Sequence, residues 1–102
     1  MKTNINFKKA IKLRSEQDKL RISALNKGVG LIAPETIFLS EDTSFGKNVT
    51  IEPYVVFGPK VKIGDNSLIK SNTQIERTKI EKNVNVGPYA RLRQGKVLKT
   101  NT

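Results

Sequence analysis

The side chains best suited to chemistry in this chain are two arginines in the run ARLRQG (Arg91 and Arg93), three glutamates (Glu52, Glu76 and Glu81) and two tyrosines (Tyr54 and Tyr89). A guanidinium is a planar, permanently charged donor fork, so Arg91 and Arg93 suit a phosphate or a carboxylate. They read equally as solvated side chains at the edge of a strand, because an anion site normally has several converging partners. Each glutamate adjoins an apolar position of a six-residue repeat, which points its side chain away from the interior, and no two make an acid–base pair. Tyr54 and Tyr89 follow Glu-Pro and Gly-Pro and read as corner packing rather than as stacking platforms. Cys and His are absent from all 102 residues. Thiolate nucleophiles, imidazole bases, disulfides and the usual zinc or iron–sulfur ligand sets are therefore excluded, and no catalytic or metal site is expected.

The elements that position these residues divide the chain in two. A length of 102 residues allows one domain. Its net charge of +10 is concentrated in the first quarter, where Lys2, Lys8, Lys9, Lys12, Arg14, Lys19, Arg21 and Lys27 face only Glu16 and Asp18. That segment lacks Gly and Pro, and Ala10, Leu13, Gln17, Leu20 and Ala24 recur at helical spacing. Residues 1–28 are thus expected to be a basic N-terminal helix ending at Gly28, with a break near Arg14 if Ser15 acts as an internal N-cap toward Asp18. The apolar stripe is thin, so the helix needs a surface to lie against.

From residue 37 the period becomes six, as in TSFGKN, VTIEPY, VVFGPK, VKIGDN and SLIKSN. One repeat, TQIER, is a residue short; the rest run TKIEKN, VNVGPY, ARLRQG and KVLKTN. The third place is always apolar: Leu39, Phe45, Ile51, Phe57, Ile63, Ile69, Ile75, Ile80, Val86, Leu92 and Leu98. The first place is small or β-branched except at Lys96. V-x-I is a three-residue strand with both apolar side chains on one face, and G-D-N or G-P-Y is a turn that ends it, Gly and Asn supplying positive φ. Six residues are too few for a strand plus a hairpin loop. A solenoid satisfies the period, each coil stacking on the next and burying its third-place side chain.

This pattern resembles the bacterial transferase hexapeptide family, an all-β solenoid folded as a left-handed parallel β-helix. Further segments are similar to the bifunctional N-acetylglucosamine-1-phosphate uridylyltransferase/glucosamine-1-phosphate acetyltransferase family. KGVGLIAPETIF at 27–38 resembles that family's passage from a linking helix into the β-helix, and the short repeat matches one the family also shortens. VNVGPYARLRQG at 84–95 resembles its I-G-P-[FY]-A-R-L-R-P-G. Two positions depart from the pattern: Ala33 replaces an Asp and Gln94 a Pro, which implies less rigid turns.

The resemblance implies that Arg93, matching the second Arg of the motif, binds the phosphate of a sugar phosphate, and that acetyl coenzyme A is the family's acyl donor, with no cofactor bound by this chain. It also implies that residues 29–102 are a truncated β-helix, since neither the family's nucleotide-binding loop nor its catalytic His is present. Three readings stand: a fragment of the enzyme that makes UDP-N-acetylglucosamine for the cell wall, inactive alone; a subunit of a split acetyltransferase completed by a second hexapeptide chain; and a non-enzymatic β-helix binding module that uses the basic helix. The expected partners are further copies in a homotrimer or a companion hexapeptide chain. The solenoid edge near Lys96–Thr102 is expected to drive self-association or instability unless covered. Nucleic acid is not expected, because the lysines are scattered round the helix without interleaved aromatics. Neither a secretion signal nor a run of about 18 apolar residues is visible, so the expected location is the cytoplasm.

Overall fold

The computed structural model describes residues 6–93 and the backbone of Val97–Leu98. Helix α1 (Phe7–Asn26) is followed by strands β1 (Gly30–Leu31), β2 (Ser44–Phe45), β3 (Thr50–Ile51), β4 (Val55–Phe57), β5 (Lys62–Ile63) and β6 (Leu68–Ile69). Then come β7 (Thr73–Ile75), β8 (Lys79–Ile80), β9 (Asn85–Val86), β10 (Arg91–Leu92) and β11 (Val97–Leu98). All pairs are parallel and join strands one coil apart, giving three sheets: β1-β3-β6-β9, β4-β7-β10 and β2-β5-β8-β11. The chain is a parallel β-helix of hexapeptide repeats, as the period of six predicts.

Its core is the pair of columns read from the repeat. Third-place Ile51, Ile69, Ile75 and Ile80 are at most 1% exposed, and β4 and β7 alternate buried, exposed, buried. First-place Val49, Val55 and Val61 fill the gaps between them. Where this column becomes polar, at Ser67, Thr73 and Thr78, the hydroxyls remain satisfied. Thr78 Oγ1 donates to the Glu76 carbonyl at 2.8 Å, and Ser67 Oγ donates to the Glu81 carbonyl at 3.0 Å while accepting from Val84 N at 3.2 Å. A hydroxyl at these places costs little only while those bonds persist.

The short repeat is absorbed at a corner. From β2 up to it, equivalent residues in successive coils are 18 apart, as in Asn48 and Asn66, and across it they are 17 apart, as in Ser67 and Val84; only the entry pair β1–β3 is offset further, Gly30 lying beside Thr50. Register resumes at once, with Ile63 beside Ile80 and Ile69 beside Val86.

From β2 to β10 each corner turns through a left-handed residue, Asn48, Tyr54, Lys60, Asn66, Asn72, Arg77, Asn83 or Tyr89, and Gly87 at φ +90° adds a second at the last of them. Asn48, Asn66, Asn72, Asn83 and Gly87 supply positive φ as the turn sequences predict, whereas the glycines at 46, 58 and 64 do not. They are there for close approach: a Cβ on Gly64 would lie 2.5 Å from Lys82 N, and one on Gly58 2.8 Å from Glu76 Cβ.

Helix α1 begins at Asn6, whose side chain accepts from Lys9 N at 2.9 Å, and runs unbroken through Ser15, so the internal cap is not used. It stops at Gly28, φ +92°. Its C-terminal half packs on the first coil through Ala24 and the half-buried Leu20. Two polar side chains complete the contact. The Gln17 carboxamide exchanges a pair of 2.9 Å hydrogen bonds with Leu39, its Nε2 donating to the carbonyl and its Oε1 accepting from the amide. Arg21, only 6% exposed, donates Nε to the Ile37 carbonyl at 2.9 Å and lies 5.1 Å from the Phe38 ring centroid. Side chains of the helix thus take the place of a preceding coil for the first one, satisfying backbone groups that a solenoid end otherwise leaves orphaned.

Candidate functional site

Strand β10 carries the arginine pair. Arg91 pairs in register with Gln74, and Gln74 with Val56, so these three side chains form an outward row on one sheet. Arg93 follows Leu92 at the next corner, in the coil above Glu76, whose amide donates to the Leu92 carbonyl at 3.0 Å. Together they border a cleft of about 90 Å³ lined by Val56, Gly58, Gln74, Glu76, Arg91 and Arg93. Gly58 leaves the floor low, since a side chain there would meet Glu76. Both arginines are exposed, and neither has an ion pair among the described residues. Glu76, the acid of the cleft, is engaged by Arg77 Nη1 at 3.1 Å.

Chemically, two exposed guanidinium groups on one side of a cleft offer donors and positive charge to an anionic group. Small-molecule sites usually enclose about 300–1,000 Å³, so a cleft of about 90 Å³ accommodates an anionic group and not a whole sugar phosphate. Two neighbouring guanidinium groups can bind the oxygens of such a group from one side.

The other candidates are dispersed. Glu52, at the β3–β4 corner, accepts from the Ser71 amide at 3.0 Å. Glu81 lies at the β8–β9 corner, where its carbonyl holds Ser67. With Glu76 between β7 and β8, the three carboxylates occupy separate corners and do not converge. Tyr54 and Tyr89 are not corner packing: they are 63% and 78% exposed, anchored by their amides to Thr36 Oγ1 and the Ser71 carbonyl. Among the described residues, no group of three or more Asp or Glu is placed to hold a metal ion, and no helix is long and apolar enough to cross a membrane. Ala33 does not open the turn it precedes, because Thr36 donates both its amide and its hydroxyl to the Ala33 carbonyl. Gln94, Lys96 and the remainder of the last repeat lie outside the described residues, apart from the backbone of β11.

Sequence reasoning counted Arg21 only among the basic residues of the helix and gave Gln17 only a place on the helix face. A charged residue beside an apolar stripe was legible, but not the carbonyl it serves.

Residues 42–77 match the family model described as bacterial transferase hexapeptide (six repeats). Over that stretch the coils carry bacterial transferase hexapeptide repeats. The chain is similar to the bifunctional protein GlmU of Xanthobacter autotrophicus, 51% identical over 77 residues that make up 76% of this chain and 17% of the relative. GlmU of Azorhizobium caulinodans is 48% identical over 79 residues, 78% of this chain and 18% of that protein. For Sphingopyxis alaskensis GlmU the identity is 51% over 78 residues, with 76% and 17% covered. The hexapeptide chain therefore spans less than a fifth of the length of these curated relatives.

Proposed function

We propose that these 102 residues form the first coils of a GlmU-like glucosamine-1-phosphate acetyltransferase β-helix in the cytoplasm, and that they do not catalyse acetyl transfer unaided. The observation that carries this reading is the hexapeptide coil bearing Arg91 and Arg93, in a chain 51% identical to a GlmU over 77 residues. Arg93 binds the phosphate of the amino-sugar phosphate. A base to deprotonate the amine and the contacts for acetyl coenzyme A come from elsewhere, since no histidine is present and the three glutamates stand apart. Residues 1–28 act as a capping helix and residues 29–102 as the repeat domain.

The small cleft favours a second element in the reading: another chain supplies the facing wall. That chain is either a further copy, packed face to face in a homotrimer, or a companion hexapeptide chain that extends the coils beyond β9, β10 and β11, the last strands of their sheets among the described residues. The deciding experiment is acetyl transfer from acetyl coenzyme A to glucosamine 1-phosphate, measured with this chain alone and with a companion chain carrying the later coils. Turnover by these residues alone refutes the proposal. Restored turnover on mixing, lost in Arg93→Ala, supports it.

A further inference from the structure

Helix α1 has a second apolar stripe that the solenoid does not cover. Phe7, Ile11, Ile22 and Leu25 are 80%, 46%, 57% and 43% exposed, and their spacing places them along one side of the helix. Arg14 and Asp18 occupy the middle of the same side, both exposed. From Phe7 to Glu16 every residue of α1 is exposed. A free helical half of this length is marginal in water.

The stripe is complementary to itself. Turned end for end about its midpoint near Glu16, the helix sets Phe7 opposite Leu25, Ile11 opposite Ile22 and Arg14 opposite Asp18. Such exchange is what an isologous two-fold contact requires. Beside the stripe runs a groove of about 700 Å³, bordered by Leu13, Arg14, Asp18 and the half-exposed Phe38, which gives an incoming helix a second wall. Lys8, Lys12 and Lys19 project from the adjacent side of the helix, outside this seam.

We propose that α1 is a dimerisation element that pairs antiparallel with α1 of a second copy, with Arg14 of each chain opposite Asp18 of the other. The charge pattern selects this occupant over an anionic membrane. A carboxylate in the centre of the apolar stripe opposes insertion among acyl chains, whereas it is matched when another Arg14 faces it. The pairing is independent of the acetyltransferase reading and of any contact between β-helix faces.

The test is light scattering after gel filtration on the full chain at about 0.15 M salt, where exposed charges are screened beyond roughly 8 Å. Arg14→Glu sets two like-charged pairs in the seam, as does Asp18→Arg, and each alone is expected to halve the particle mass relative to the unmodified protein. An equimolar mixture of the two variants restores both pairs as Glu–Arg and Arg–Asp and is expected to recover the full mass. The factor of two holds whether the remaining particle is one chain or a trimer. Should Asp18→Arg be destabilised by losing its bond to Arg21, Arg14→Glu and Ile22→Lys alter only exposed side chains and carry the test. Equal masses for the unmodified protein and Arg14→Glu overturn the proposal, and so does a mixture that stays at half mass. Binding of the unmodified chain to phosphatidylglycerol vesicles, without self-association in their absence, also overturns it and assigns the stripe to a membrane.

Discussion

Replacing Gln17 by Leu tests whether α1 closes the solenoid through hydrogen bonds or only through apolar contact. The side chains are close in size, so packing against Leu20 and the first coil changes little. What disappears is the pair of 2.9 Å bonds to Leu39, a residue only 5% exposed. Leaving one buried backbone group without a partner costs about 1–3 kcal/mol. Two such groups put the loss at about 2–4 kcal/mol, discounted toward the lower value because the bonds are only partly buried and water can reach the groups. For a domain of this size each kcal/mol lowers the melting temperature by roughly 4–8 °C, so Gln17→Leu should melt at least about 8 °C below the parent. Hydrogen exchange localises the effect: the Leu39 amide should lose its protection while those of Ile63 and Ile69, paired deeper in the stack, keep theirs. Gln17→Glu separates the two bonds, since its carboxylate still accepts from the Leu39 amide but sets an oxygen against the carbonyl. A melting temperature within 2 °C of the parent, as an order-of-magnitude margin, together with a protected Leu39 amide in Gln17→Leu, would show that the cap is apolar and the reasoning wrong.

Further outcomes follow from particular contacts. Gly64→Ala should destabilise by about 2 kcal/mol or more in urea unfolding, because its Cβ meets backbone at 2.5 Å, whereas Gly30→Ala, whose nearest neighbour is 3.6 Å away, should stay within about 1 kcal/mol. Ser67→Ala leaves the Glu81 carbonyl and the Val84 amide without their shared hydroxyl and should cost about 1–3 kcal/mol by the same measurement. Tyr54→Asn, at φ 62° with an exposed side chain, should stabilise by roughly 0.5–1 kcal/mol, since Asn tolerates the left-handed region better. Loss of stability there would mean that the exposed ring makes a contact of its own.

How much of this was legible in the sequence depends on whether a residue's partner is set by the period. Ile51, Ile69 and Ile75 were assigned to the core by position alone, and the short TQIER repeat already announced the coil of 17 residues. The roles of Gly46, Gly58 and Gly64 were read in the wrong terms, because a turn sequence suggests backbone freedom while the constraint comes from the neighbouring coil. Arg21 was hidden for a different reason. Its partners Ile37 and Phe38 belong to the first coil, whose orientation toward the helix no repeat specifies. Ser15 followed by Asp18 gave a local capping signal that a continuous helix overrode, Asn6 having already supplied the cap. The arginine pair was legible as chemistry, but its cleft was not, since the floor depends on Gly58 and Glu76 from different coils.

The Gln17–Leu39 exchange also gives the particle a polarity with respect to polymerisation. Parallel solenoids can in principle stack end on end, each copy templating the next through its exposed backbone, and such growth needs two complementary poles. Here one pole is already occupied by a carboxamide and a guanidinium, groups that no incoming strand can displace without breaking three short hydrogen bonds. Strand-on-strand, head-to-tail stacking is therefore blocked at this pole while α1 stays in place, and copies that meet here meet through the outer face of the helix rather than through unpaired backbone.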